Sequence, residues 1–467
     1  MTALELSRLQ FAVVTVYHYL FVPLSISLAT LTALLQTAAY RTGDARWNRL
    51  TSVAGKLLMI TFAVGIVTGL VQEFQFGLSW SAFARFYGDV FGPTLAIEGM
   101  LAFFLEATFL GLWWFGADRL RPALHLATIW IVAVGTLISA YVILAANAFM
   151  QNPVAYTLDP ATGRARLGSF TDLLTNDVVL AAFPHTIAGA FAGGGALLLA
   201  VGASRARRTD PDGRWRLLTR VGAWTTLVSG AAVALTGDLL GKVMTAVQPM
   251  KMAAAEALYA TQAGAPFSLF AVGAPGAREP FFTLDVPWLL SFLATGDPTA
   301  TVQGIDDLQA QYTAQFGPGD YVPVVPMAYW SFRLMIGFGM LATVVAAWVL
   351  WRTRRGRDLA PSHVVDRWVL RGLWAIPVLP ALAATAGWLF TETARQPWLV
   401  FGLFRTTDGV SPGLTAGELA ASLAGFALVY GVLAVVWVRL ALRIARTAGD
   451  DPAPAPVEDE RPLVPSY

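Results

Sequence analysis

Two glutamates, Glu98 and Glu106, stand inside one apolar run, FGPTLAIEGMLAFFLEATFLGLWWF at residues 91–115, which is long enough to cross a bilayer. A carboxylate in such a segment costs about 3 kcal/mol on insertion scales, and intramembrane acids mark proton paths, ion sites or cofactor sites. The bland alternative is a carboxyl kept protonated or paired with an arginine of a neighbouring helix. Histidine is scarce: His18, His125, His185 and His363 are the four in the chain. His125 begins a span and His363 lies in a loop, places suited to an interface. His18 and His185 each fall one to two turns into an apolar run, where imidazole is either a metal ligand or an interhelical hydrogen-bonding group. Met335, in WSFRLMIGFGM, sits at a depth matching His185. Imidazole facing thioether makes a low-spin haem site of raised potential, although methionine more often fills core. Arg333 lies two residues before it, and a guanidinium at that depth needs an anion, for which a haem propionate would serve.

The elements that must hold these groups are membrane helices. Of 467 residues 56% are hydrophobic and 13% charged, about half the charge of an ordinary soluble protein, so the chain reads as an all-α integral membrane protein. The near-zero net charge of +2 gives no reason to expect a nucleic-acid partner. With no cysteine, disulfides, cysteine-ligated iron-sulfur clusters, covalent c-type haem and thiolate chemistry are excluded. The first ten residues carry Glu5 and Arg8, and the apolar stretch after them runs too far for a signal sequence, so a retained first span is expected.

Runs of about twenty apolar residues predict about nine transmembrane helices, at 11–39, 50–71, 94–115, 123–146, 178–203, 217–239, 326–351, 368–391 and 414–440. Arginines cluster in every second connection (41–49, 119–121, 205–216, 352–357 and 443–446). That bias puts the amino terminus outside and the carboxyl terminus in the cytoplasm. The expected organisation is six spans over 1–240, a long outside loop over 241–325, three spans over 326–448 and a Pro-rich, acidic, disordered tail over 449–467. On this topology His18, Glu98, His185, Met335 and Glu392 share one depth near the outside. Glu106, eight residues past Glu98, lies about 12 Å deeper and about 80° round an α-helix, as in a relay. In the loop, VQPMKMAAAEALY reads as a short helix opened by Pro249; Lys251 and Glu256 stand about 140° apart, poorly placed to pair with each other. They are either ordinary solvated charges or partners for something else.

Six stretches, GPTLAIEGMLAFFLEATFLG, ANAFMQNP (146–153), FPHTIAGAF around His185, VQPMKMAAAEA (247–257), SFRLMIG around Met335 and GWLFTETARQPW (387–398), resemble subunit I of the cytochrome bd-type quinol oxidases in order and spacing. The resemblance covers nearly the whole chain. It implies three haems: a low-spin haem b held by His185 and Met335, and a high-spin pair, haem b with haem d or a third b-type haem, served by His18, Glu98 and Glu392. It adds Arg395 to the catalytic set and Trp388 to the cofactor-binding set. It makes Glu106 part of a proton path, with Ser139 and Asn147 beside it unless these are ordinary interhelical hydrogen-bonding groups. Lys251 and Glu256 become quinol-binding residues, the carboxylate accepting a proton as electrons leave. The implied partners are subunit II, a small single-helix accessory subunit as a further candidate, membrane ubiquinol or menaquinol, and O2, all at a bacterial cytoplasmic membrane crossed many times. The implied activity is quinol oxidation outside and O2 reduction to water with cytoplasmic protons, giving a proton motive force without pumping. A proton-coupled transporter relaying through the carboxylates, or a haem b electron-transfer subunit that does not meet O2, are the alternatives. Two departures stand out: Ala394 replaces the family's usual glycine before Arg395, and the carboxyl half of the loop is compact.

Overall fold

The computed structural model describes the chain apart from residues 208–209, 274–279, 357–363 and 448–467. The tail expected over 449–467 and His363 therefore lie outside the described residues. The helices in order are α1 (Ala3–Thr42), α2 (Ala45–Leu78), α3 (Ser81–Glu98), α4 (Ala107–Phe115), α5 (Pro122–Gln151), α6 (Phe170–Leu174), α7 (Asp177–Ala206), α8 (Arg214–Val247), α9 (Pro249–Glu256), α10 (Leu289–Thr295), α11 (Ile305–Phe316), α12 (Val325–Arg352), α13 (Val364–Gly372), α14 (Val378–Thr393) and α15 (Ala416–Thr447). Among the described residues eight helices are long and apolar enough to cross a membrane, nine if one bent pair counts as a single span. The chain is a multi-pass membrane protein.

Caps mark several ends. Thr2 and Glu5 form a capping box at the start of α1, and Pro122 and Pro249 open α5 and α9, where a missing N–H costs nothing. Helices α7 and α8 approach backbone to backbone: a Cβ on Gly195 would meet the Thr226 nitrogen at 2.8 Å, and one on Gly222 the Leu199 nitrogen at 2.3 Å. Small residues at a helix interface permit this closeness. Large apolar side chains such as Trp224, Leu235, Met340, Val344 and Leu428 face outward, as lipid or a partner helix requires.

Two spans differ from expectation. The third begins at Ser81, not near Thr94, because Arg85, Gly88, Asp89 and Pro93 depress hydropathy without stopping the helix. Glu98 thus stands seventeen residues from its helix start instead of four. Between α3 and α4, Gly99–Glu106 winds as a π-helix, whose i→i+5 ladder takes more residues per turn than an α-helix. The 80° and 12 Å separation of the two glutamates, which assumed α geometry, does not hold. The predicted span 368–391 is broken: Trp368–Ala375 and Val378–Thr393 meet at 53°, with Pro377 and Pro380 at the junction. Ala394 closes α14 at φ −77°, ψ −8°, a region open to any residue, so the absent glycine strains nothing.

The connection between α8 and α12 is folded. It carries α9, α10 and α11 and two antiparallel pairs, β3 with β6 and β4 with β5; labelled in chain order the strands are β1 (Tyr156–Leu158), β2 (Ala165–Leu167), β3 (Gln262–Ala263), β4 (Phe267–Val272), β5 (Phe282–Val286), β6 (Thr301–Val302), β7 (Trp398–Val400) and β8 (Phe404–Arg405). Helix α9 is covered along its whole length from Met250 to Glu256. Its two charges are not solvated.

Candidate functional site

One cavity of about 550 Å³ gathers residues from α1, α2, α3, α5 and α14. His18, Glu98, Glu106, Ser139, Asn147, Trp388, Glu392 and Arg395 all line it. Eight residues chosen from sequence thus meet at one surface, and the volume suits a molecule-sized ligand. Both glutamates of residues 91–115 are on it, a correction to the expectation that Glu106 stands apart from the site of Glu98. His185, Met335, Arg333, Lys251 and Glu256 are not among its lining residues. Counted along the helices, His18 lies about 22 Å from the start of α1, His185 about 12 Å from that of α7 and Met335 about 15 Å from that of α12.

The two histidines share a device that sequence reasoning passed over. His18 Nδ1 is 3.0 Å from Thr68 Oγ1, and the Thr68 hydroxyl donates to the Val64 carbonyl at 2.9 Å. His185 Nδ1 is 3.3 Å from Thr236 Oγ1, and that hydroxyl donates to the Ala232 carbonyl at 2.7 Å. Each hydroxyl proton is committed, so each threonine oxygen can only accept. Nδ1 therefore carries the hydrogen, and Nε2 keeps its lone pair for a metal. The next residue is glycine in both places: a Cβ on Gly69 would stand 3.1 Å from His18 Cε1, and one on Gly237 3.1 Å from His185 Cε1. The signal was a Thr-Gly dipeptide at 68–69 and again at 236–237. His125 is the contrast. Gln36 Nε2 donates to its Nδ1 at 2.9 Å and its Nε2–H donates to the Trp113 carbonyl at 2.8 Å. Both nitrogens are used, which leaves neither for a metal.

The donor set fits haem. The cavity offers a neutral imidazole with a free Nε2, carboxylates at Glu98 and Glu392, and an apolar, aromatic wall in which Tyr19 stacks on Trp388 at 5.1 Å. Buried Trp388 Nε1 has no hydrogen-bond partner among the described residues. Beside Met335, a Cβ on Gly387 would come within 2.8 Å of Sδ, so that glycine makes room for the thioether.

On the cavity wall Arg395 donates to Glu392 Oε2 and, at 2.5 Å, to the Leu399 carbonyl, while Asn147 Nδ2 donates to Glu392 Oε1 at 3.0 Å. Glu106 is 4% exposed, and its Oε1 has no partner among the described residues. Space for its side chain comes from Gly135 on α5, where a Cβ would lie 3.2 Å from Glu106 Cγ.

Arg333 takes a different anion from the propionate expected of it. Its Nη2 donates to Glu256 Oε2 at 2.6 Å and its Nη1 to Oε1 at 3.1 Å; the Ser268 and Ala255 carbonyls accept at 2.6 and 3.0 Å. The guanidinium also lies over the Tyr329 and Phe267 rings at 4.4 and 4.6 Å. Burial pushes the Glu256 carboxyl up to about 7, with Arg333 and the Ser268 N–H pulling it back down. Lys251 donates to Gln151 Oε1 at 2.9 Å and to the Thr391 carbonyl at 3.1 Å, and burial lowers its ammonium to about 7.

A family model described as cytochrome bd terminal oxidase subunit I matches residues 6–449. The chain is similar to the cytochrome bd ubiquinol oxidase subunit 1 of Bacillus subtilis (strain 168), with 40% identity over 95% of this chain and 93% of that one. It is also similar to the cytochrome bd-II ubiquinol oxidase subunit 1 of Escherichia coli (strain K12), with 34% identity over 98% of each chain. Its fold resembles a chain from the structure of bd oxidase from Geobacillus thermodenitrificans, at a TM-score of 0.85 and 28% identity over 95% of this chain and 98% of that one.

Proposed function

This chain belongs to the cytochrome bd terminal oxidase subunit I family, and on that premise we propose that it is the haem-bearing subunit of a quinol:O2 oxidoreductase that oxidises quinol at the outer face and draws the protons for water from the cytoplasm. The observation that carries this reading is the single cavity to which three separate helices bring His18, Glu98 and Glu392. Subunit II is the implied partner, and a small single-helix subunit a further one. The membrane is the bacterial cytoplasmic membrane, with the amino terminus outside and the carboxyl terminus inside.

When bound, haem supplies one-electron storage and the chemistry of O2 reduction. The chain supplies the rest. His185 and Met335 would hold a low-spin haem b, which would pass electrons on. His18, Glu98 and Glu392 would hold the high-spin pair, haem b with haem d or a third haem b, while Trp388 packs the wall and Arg395 balances the charge of Glu392. Glu106, with Ser139 and Asn147, would move protons toward the cavity from the cytoplasmic side. Residues 241–325 form the quinol loop, in which Lys251 would orient a quinol oxygen and Glu256 accept a proton from it. Arg333 sets the Glu256 carboxylate in place.

A reduced-minus-oxidised spectrum of membranes holding this chain with subunit II tests the reading. Both low-spin b and high-spin signals are expected, and Met335→Leu should remove the low-spin band while sparing the others. An unchanged low-spin band in that variant strikes Met335 from the ligands; no haem signal at all ends the proposal.

The pH dependence of quinol oxidation follows from Glu256. A carboxyl raised to about 7 is protonated below that pH and can accept no proton there. The kcat/KM for quinol should rise as pH passes from about 6 to about 8, with a midpoint near 7. Glu256→Gln should flatten the profile at a low value; a retained inflection would assign it to another group.

A further inference from the structure

A line of hydrogen bonds runs from α9 to the cavity through a residue with no part in the reading above. Lys251 Nζ donates to Gln151 Oε1 at 2.9 Å, Gln151 Nε2 donates to Asn147 Oδ1 at 3.3 Å, and Asn147 Nδ2 donates to Glu392 Oε1 at 3.0 Å. Gln151 ends α5 and is 4% exposed. Its main-chain carbonyl accepts from Gln248 Nε2 at 2.6 Å, so backbone and side chain are both held by the stretch that opens α9.

A side-chain amide has one accepting end and one donating end. Lys251 in its charged form only donates, so in that form the oxygen of Gln151 faces Lys251 and its NH2 faces Asn147. Asn147 then turns its own oxygen to Gln151 and its NH2 to Glu392. The cation on α9 fixes the sense of both amides, and what arrives at the carboxylate is an N–H. An amide oxygen turned that way would offer Glu392 no donor. Without a polar side chain at 151, nothing on that side of Asn147 selects between the two.

We propose that Gln151 is a positioning residue that fixes the orientation of Asn147, and so the hydrogen bond received by Glu392, according to the docking of α9 through Lys251. The proposal rests on Glu392 being a residue of the high-spin haem site. It goes further by making the quinol loop and the cavity one hydrogen-bonded unit. Lys251 also donates to the Thr391 carbonyl of α14, beside Glu392, which keeps α9 docked when Gln151 alone is changed.

The test uses the complete oxidase in membranes with two substitutions. Gln151→Met keeps the length and removes both polar ends; Gln151→Glu keeps an acceptor for Lys251 and removes the donor to Asn147. In both, haem content and quinol KM should stay within about twofold, kcat should fall about tenfold, and the carbon monoxide difference spectrum of the reduced high-spin haems should shift, as loss of a group that orients a metal ligand predicts. If Gln151→Met fails to assemble, the glutamate variant decides. Unsubstituted kcat and spectrum in an assembled variant overturn the proposal, as does loss of haem in both, which would make Gln151 merely structural. Glu392→Gln is measured alongside. A shifted spectrum there with none in the Gln151 variants removes Gln151 alone, whereas no shift in Glu392→Gln removes the reading of Glu392 and this proposal with it.

Discussion

Above about pH 8, where the Glu256 carboxyl is ionised, Arg333→Met should destabilise the folded protein by about 3–5 kcal/mol, the cost of leaving one member of a buried ion pair behind. Glu256 is 5% exposed and accepts two hydrogen bonds from the guanidinium. With the arginine gone, the Ser268 N–H at 3.4 Å is a weak remaining donor to the carboxylate, and the Ser268 and Ala255 carbonyls lose theirs. The damage should spread, because this pair ties α12 to both α9 and β4. The double variant Arg333→Met, Glu256→Met separates the pair's worth from the penalty of breaking it. An apolar replacement of both members is often neutral or better, so its thermal midpoint should return close to that of the unsubstituted protein. Quinol oxidation should stay lost in both variants, since the double one also lacks the proposed proton acceptor. Thermal unfolding of the purified complex followed by tryptophan fluorescence reads the first effect and quinol-dependent oxygen uptake the second. A single variant as stable as the parent would mean that Glu256 is neutral in the fold and needs no cation.

This pair was beyond sequence reading for a physical reason. Arg333 and Glu256 are brought together by the return of a folded loop onto α12, and no periodicity encodes a contact of that range. The expected propionate partner came from correct accounting with an unknown inventory: the guanidinium did need an anion. The cavity was legible because its residues are expensive in lipid, so Glu98, Glu106, Glu392 and His18 each stood out from an apolar background. Residues that cost nothing there stayed silent. Gly135 and the Thr-Gly pairs at 68–69 and 236–237 look like ordinary helix-packing residues until a side chain is seen against them. Gln151 was within a motif already noticed, yet its partner Lys251 is a hundred residues away. The break before α14 could have been read from Pro377 and Pro380; the π-helix over Gly99–Glu106 has no residue pattern that announces it.

Glu106→Gln should lower steady-state oxygen reduction about 100-fold, the lower end of what a proton-transferring side chain contributes, while haem content and quinol KM stay unchanged. The amide keeps the shape that Gly135 accommodates and the hydrogen-bonding atoms, but it cannot take up and release a proton. Glu106 is the last residue of the π-helix and lines the same cavity as Glu98, so a proton on it has only to cross cavity space to reach the proposed haem site. Its unpartnered Oε1 leaves one oxygen available for that transfer. Ser139, 8% exposed and also on the cavity, offers a hydroxyl one turn along α5 from Gly135. Because electrons enter at the quinol side, reduction of the low-spin haem by quinol should keep its rate in Glu106→Gln, and the slowed step should be reoxidation of the fully reduced enzyme by O2. Glu98→Gln should do the reverse in one respect: it should alter the high-spin spectrum before any turnover. If Glu106→Gln reoxidises at the parent rate, protons reach the cavity by another route. If instead it shifts the high-spin spectrum as Glu98→Gln does, the two glutamates, no longer kept apart by an α-helical turn, serve the same group.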